Sequence, residues 1–149
     1  MRTLVWRRLD EPGMEITHVE SLEHASGTQI GTAYELRWQL DGTRLNVEVV
    51  GGPKASVELG DADFFDLFAS PFFNSLPVMR DGLLVSGPAR DYVMQFVIVP
   101  EVDVVRSAQR YEPRGDRVVA YSSGSFAADI EFDADGFVTL YHGFLERLS

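Results

Sequence analysis

Apolar and polar residues alternate with a period of two through most of this chain, and Gly, Pro or Asp-Gly breaks the alternation about every eight to twelve residues. Successive side chains of a strand point to opposite faces, so this pattern gives each strand one dry and one wet side. The expectation is an all-β fold with little helix. Strands are expected near 3–9, 14–23, 28–40, 43–50, 54–59, 72–80, 83–86, 89–99, 102–112, 116–122, 125–133 and 137–147. One helical turn is expected from Asp61 to Ala69, where Asp61 or Asp63 could cap Phe64, Phe65, Leu67 and Phe68 before Pro71.

Three Asp-Gly dipeptides mark hairpins, and a slip of one residue in any of them would exchange buried and exposed faces. A two-residue Asp41-Gly42 turn pairs Tyr34 with Val49, Leu36 with Val47 and Trp38 with Leu45 on an apolar face. Glu35, Arg37, Gln39, Arg44, Asn46 and Glu48 occupy the other. A three-residue Ala134-Asp135-Gly136 turn sets Phe126, Ala128, Ile130 and Phe132 beside Val138, Leu140, His142 and Phe144, with Asp129, Glu131, Thr139 and Tyr141 opposite. Asp81-Gly82 is expected to join Pro77–Arg80 to Leu83–Val85. Hairpins of this kind must curl around their dry side or stack on a second sheet. The fold expected is therefore a strongly curved antiparallel sheet or half-open barrel of about ten or more strands with one short helical turn.

The 149 residues fit one domain, 1–149. With no cysteine, disulfides, zinc–thiolate sites and thiol nucleophiles are excluded. Twenty-three acidic against 13 basic side chains leave a formal charge of −10, which repels phosphate backbones, so no nucleic-acid partner is expected. Neither a long apolar run nor a secretory leader is visible, which points to a cytoplasmic protein without a transmembrane segment.

Few motifs carry chemistry. Glu131, Asp133, Asp135 and Gly136 have the spacing of a calcium loop, but His142 stands where its bidentate Glu belongs, so a hairpin tip is the better reading. His18, Glu20 and His24 could share a strand face, though His24 borders a turn. Asp61, Asp63 and Asp66 crowd six positions, most simply as cap and solvated residues. Neither a nucleophile elbow nor a phosphate-binding glycine loop occurs, and no cofactor is implied. Asp66 to Pro77 mixes turn formers with Phe at a density that demands packing.

The run Asp66-Leu67-x-x-Ser70-Pro71-Phe72-x-Asn74-Ser75-Leu76-Pro77 resembles the signature of the bacterial putative glycolipid-binding family. Trp6-Arg7-Arg8-Leu9-Asp10, Val99-Pro100-Glu101, Gln109-Arg110-Tyr111, Phe126–Ile130 and Asp135–Val138 agree with it in order. Between Arg44 and Asp66 the chain is shorter than typical members, and the usual Gly-Cys before Asp-Leu is missing. The resemblance implies a curved antiparallel sheet like that of bacterial lipoprotein carriers, with an acyl or glycolipid ligand against the concave face.

The leading expectation is non-enzymatic binding of a lipid or glycolipid. Trp38, Phe72, Phe96, Phe126, Ile130, Phe132, Leu140 and Phe144 are the expected cavity lining. Arg44, Asn74, Arg80 and Arg110 are rim candidates for a headgroup. Two alternatives stay open: a small hydrolase or isomerase using Asp66 or Glu101 as base with Arg80 or Arg110 as stabiliser, and an interaction module, monomer or homodimer.

Overall fold

The computed structural model describes residues 1–149. Thirteen strands and one helix follow in the order β1 (Arg2–Arg8), β2 (Gly13–Val19), β3 (His24–Gly31), β4 (Glu35–Asp41), β5 (Arg44–Val49), β6 (Lys54–Glu58), β7 (Phe64–Leu67), α1 (Phe72–Asp81), β8 (Arg90–Ile98), β9 (Asp103–Gly115), β10 (Val118–Ser123), β11 (Phe126–Phe132), β12 (Val138–Tyr141) and β13 (Leu145–Arg147). All strands join one sheet ordered β6-β5-β4-β3-β2-β1-β13-β12-β11-β10-β9-β8-β7. Two antiparallel meanders thus meet where β1 pairs with β13, and only β7 runs parallel to its neighbour, β8.

The sheet is curled tightly enough to bring its edges together. Leu59 to Asp63 carry the chain from β6 at one edge to β7 at the other, and such a link spans no more than roughly 20 Å. There Gln95 Nε2 donates to the Glu58 carbonyl (3.3 Å). Inside the curl lies α1, with Phe72 through Val78 buried on every side. Its Phe72 and Phe73 rings pack against Trp38 at centroid distances of 5.7 and 4.9 Å.

Alternation places most strands, but the single strands expected at 28–40 and 137–147 are each an antiparallel pair, β3 and β4 parted by the turn at 32–34 and β12 and β13 by the turn at 142–144, and three further corrections concern the helix and the registers. First, Phe64–Leu67 is strand β7, whereas the helix forms at Phe72–Asp81, where a strand was expected. A helix buried all round has no amphipathic period to read, and Pro71 and Pro77 look like breakers. Pro71, at φ −66, instead starts the helix, where its missing N–H costs nothing. Gly82, at φ +67, ends it, so Asp81-Gly82 is no hairpin and no strand forms at 83–86.

Secondly, the β4–β5 turn is Gly42-Thr43. Asp41 pairs with Arg44, and Leu36, Trp38 and Leu40 face Val49, Val47 and Leu45. A positive φ of 62 at the first turn position suits Gly42. The shift is two residues, so the apolar face is unchanged.

Thirdly, the three-residue turn pairs Phe132 with Val138 as expected, but the register then shifts, with Glu131 opposite Leu140 and Ile130 opposite Tyr141. Thr139 is the extra residue of this bulge. Tyr141 therefore turns inward, and His142 turns out to solvent beside Glu131.

In β3, Gly27 marks a close approach. A Cβ there would lie 2.2 Å from Trp38 Nε1, because the indole crosses directly over it. Gly27→Ala should therefore destabilise the fold by about 1–3 kcal/mol. Urea unfolding should show a lower midpoint with an unchanged slope, and an unchanged midpoint would contradict this packing.

Candidate functional site

The Asp66–Pro77 segment leaves the sheet edge, crosses the interior and enters α1. Its polar side chains are the ones that bind it to the sheet. Glu15, on the dry face of β2, is fully buried, and its Oε1 accepts from Trp38 Nε1 (2.8 Å), Ser70 Oγ (2.9 Å) and Thr17 Oγ1 (3.1 Å). Gln29 of β3 donates to the Phe68 carbonyl (2.6 Å) and Ser70 Oγ (2.8 Å), and Tyr34 donates to Gln29 (3.0 Å). Glu15 Oε2 has no partner. Burial pushes the Glu15 carboxyl up to about 8, against the opposing effect of its three donors, so it is largely neutral at pH 7.

Where α1 leaves the inner face uncovered, a cleft of about 580 Å³ opens between the 66–71 segment and strands β8 to β13. Its floor carries Asp66, Asn74 and Leu67 together with Tyr121 and Tyr141. Its mouth carries Phe68, Phe96, Phe144 and the half-exposed Phe126. The rings form a continuous wall: Phe68–Phe144 at 5.4 Å, Phe144–Tyr141 at 5.2 Å, and Tyr121–Tyr141, Tyr121–Phe126 and Phe126–Tyr141 at 6.0 to 6.4 Å. Arg8 lies over the Phe68 and Phe144 rings, but its guanidinium is held by Asp10 and Glu11 at 2.7 and 2.9 Å.

Asp66 is enclosed by protein yet faces the cleft. Its Oδ2 accepts from Gln109 Nε2 (2.8 Å), no cation stands beside it, and burial pushes its carboxyl up to about 6. Asn74 Nδ2 donates to the Tyr111 hydroxyl (3.0 Å). Burial, then the nearby Asp66 charge, raises the Tyr111 and Tyr121 phenols, which keeps them protonated.

Of the residues singled out from sequence, Asp66, Asn74, Phe96, Phe126, His142 and Phe144 meet at this cleft. Trp38, Phe72, Ile130 and Phe132 fill the solid core instead, because α1 occupies the space they would have lined. Leu140 lies opposite Glu131 beyond the bulge and does not line the cleft. Arg80 packs over the Phe64 ring and pairs with Asp81. Arg110 and Arg44 pair with Asp91 and Glu58 on exposed surface. Neither Arg80 nor Arg110 reaches Asp66, and Glu101 sits exposed in the β8–β9 turn.

The calcium-like loop is a structural clasp: Asp133 bridges Arg2 (2.9 Å) and Arg147 (2.7 Å) and accepts the amides of Asp135 and Phe137. Asp61 pairs with Arg106, and Asp63 accepts the Val93 amide. Sequence reading missed Glu15, Gln109, Tyr121 and Tyr141. An acidic residue on the dry parity of β2 was the available signal for Glu15.

The protein is a single curled, largely antiparallel sheet with an aromatic cleft on its inner face. The family model described as putative glycolipid-binding matches residues 23–147, and the chain belongs to that family. The chain is also similar to a crystallographically solved DUF1089 family protein from Pseudomonas aeruginosa. The TM-score is 0.76 over 91% of this chain and 92% of that one, at 20% identity, which shows a shared fold. No curated protein matches the chain.

Between the ordinary Glu value of 4.5 and about 8, folded Glu15 keeps a proton that the unfolded chain releases, so its contribution to stability falls as pH rises through that window. Glu15→Gln mimics the protonated form. It should match the native protein at pH 4 and exceed it at pH 7 by on the order of 3 kcal/mol. Denaturant melts at the two pH values test this, and a variant weaker at pH 7 would refute a neutral Glu15.

Proposed function

We propose that the cleft binds an amphiphile of the lipid or glycolipid class without chemical turnover. The observation that carries the reading is a contiguous aromatic wall, left open to solvent where α1 does not fill the curl. Phe126 is 49% exposed there. An apolar surface of this size in a concave setting is stabilised by hydrocarbon, at about 0.8 kcal/mol per buried methylene. The volume of about 580 Å³ lies within the usual range for small-molecule sites. No lysine or arginine lines the cleft, its histidine His142 is paired with Glu131, and Asp10 and Asp66 both line it, which disfavours a phosphate headgroup. No helix is long and apolar enough to cross a membrane.

Native mass spectrometry of the purified protein should show bound lipid that delipidation removes and re-addition restores. Phe126→Ser should weaken lipid binding about tenfold while leaving the melting temperature within about 2 °C, since the ring is half in solvent. A protein that never carries or takes up lipid would overturn the proposal.

A further inference from the structure

Resting on that reading, we infer that the ligand enters polar end first: an uncharged polyhydroxylated headgroup reaches Asp66 and Asn74 at the floor, and the hydrocarbon lies against Phe126 and Phe144 at the mouth. This reverses the arrangement in which an acyl tail is buried and the headgroup stays at the rim.

The distribution of polarity with depth carries the inference. Asn74 is 5% exposed, and Asp66, its carboxyl held by Gln109, opens into the same cleft among buried Leu67, Tyr121 and Tyr141, whereas the largest exposed apolar side chain of the cleft, Phe126, is 49% exposed at the entrance. A hydrocarbon tail driven to the floor would strip water from a carboxyl and an amide and return no hydrogen bond, which is costly. A sugar-like headgroup can donate a hydroxyl to Asp66 and accept from amide or hydroxyl donors. Ser107 and Ser123, whose hydroxyls stand 3.4 Å apart, extend the polar lining.

The floor is also built to hold Asp66 in place. Gln109 turns its amide N–H to Asp66 Oδ2 at 2.8 Å, although this leaves the Gln109 Oε1 buried with no partner. An orphaned buried oxygen beside a fixed carboxyl is an arrangement that folding alone does not require. Asp66 is thus assigned as the specificity-determining residue.

The charge of the headgroup follows from the neighbours. An anion would meet Asp66 and Asp10 with no free cation, because Arg8 is held by Asp10 and Glu11 and His142 is paired with Glu131. A quaternary ammonium needs rings set around a gap, whereas the Tyr121, Phe126 and Tyr141 rings are tilted by 44–65° and pack edge-on against one another, 6.0 to 6.4 Å between centroids.

The test uses n-octyl β-D-glucoside below its micellar concentration, compared with 1-octanol, octyl phosphate and octyltrimethylammonium. Intermolecular NOEs should connect glucose-ring protons to the Asn74 side chain and the terminal methyl to the Phe126 ring. The glucoside should bind at least about tenfold more tightly than the phosphate or the ammonium. Lengthening the alkyl chain should raise affinity by less than the about fourfold per methylene expected for full burial. Asp66→Leu should weaken glucoside binding about tenfold and weaken 1-octanol binding by less, since octanol brings a single hydroxyl to the site.

The inference is overturned by NOEs from the terminal methyl to Asn74, by tighter binding of the ammonium or phosphate, or by an Asp66→Leu variant that melts normally and binds glucoside as before. In those cases amphiphile binding itself survives. Failure of all four probes on the native protein would remove the underlying reading as well. The NOE pattern is read on the native protein, so the test holds even if the Asp66 variant does not fold.

Discussion

The Trp38 indole is the contact on which the rest of the molecule turns. A long sheet with one apolar face must enclose something, and here it encloses a helix whose residues Phe72 to Val78 show no side to solvent. Trp38 fixes that helix by packing on Phe72 and Phe73 and, through its N–H, reaches across Gly27 to Glu15 two strands away. Ser70 meets the same Glu15 oxygen, so the helix and the segment leading into it are positioned together. The cleft is the remainder of this arrangement. Its walls stand where they do because Ser70 and Phe68 are tied to β2 and β3 on one side, while the second meander presents its aromatic face on the other.

A buried acid at this junction is an unusual choice, since a carboxylate in a dry interior would be strongly unfavourable. Burial holds the proton on the carboxyl even though three donors converge on one oxygen. Replacing such a group by a hydrocarbon would leave Trp38, Ser70 and Thr17 without an acceptor. The acid is therefore better understood as a template for geometry than as a source of binding energy. Asp66, also raised by burial, faces the cleft, and that separates a structural acid from one available to a ligand.

The parts legible in the sequence were those governed by local rules. Alternation placed most strands but ran β3 into β4 and β12 into β13, and a hairpin error of two residues at Asp41-Gly42 left Leu36 and Trp38 on the correct face, since parity survives an even shift. The bulge at Thr139 was invisible because one inserted residue reverses parity, and nothing in a Val-Thr-Leu-Tyr run announces it. Phe72–Asp81 could not be read as a helix from its periodicity, as full burial erases the polar stripe. The same fact explains the candidate site. Once a helix fills the curl, Trp38, Phe72, Ile130 and Phe132 become core, and only the aromatic residues beyond its reach, Phe96, Phe126 and Phe144, remain accessible. Rim arginines chosen for headgroup contacts are instead paired with nearby carboxylates, an outcome set by tertiary placement.

The seam between β1 and β13 has a consequence for how this chain reaches its native state. Arg7 and Glu146 are salt-bridged across it while lying 139 positions apart in sequence, and Arg2 and Arg147 converge on Asp133 beside it. Each meander can zip from its own hairpins within local stretches of chain, but their union waits for the most distant segments to find each other by diffusion, a slow step of high contact order. On a ribosome, synthesis would deliver the first meander long before its counterpart. Its unmatched β1 border would stand bare in the interval, a span in which chaperone capture and mispairing compete with completion.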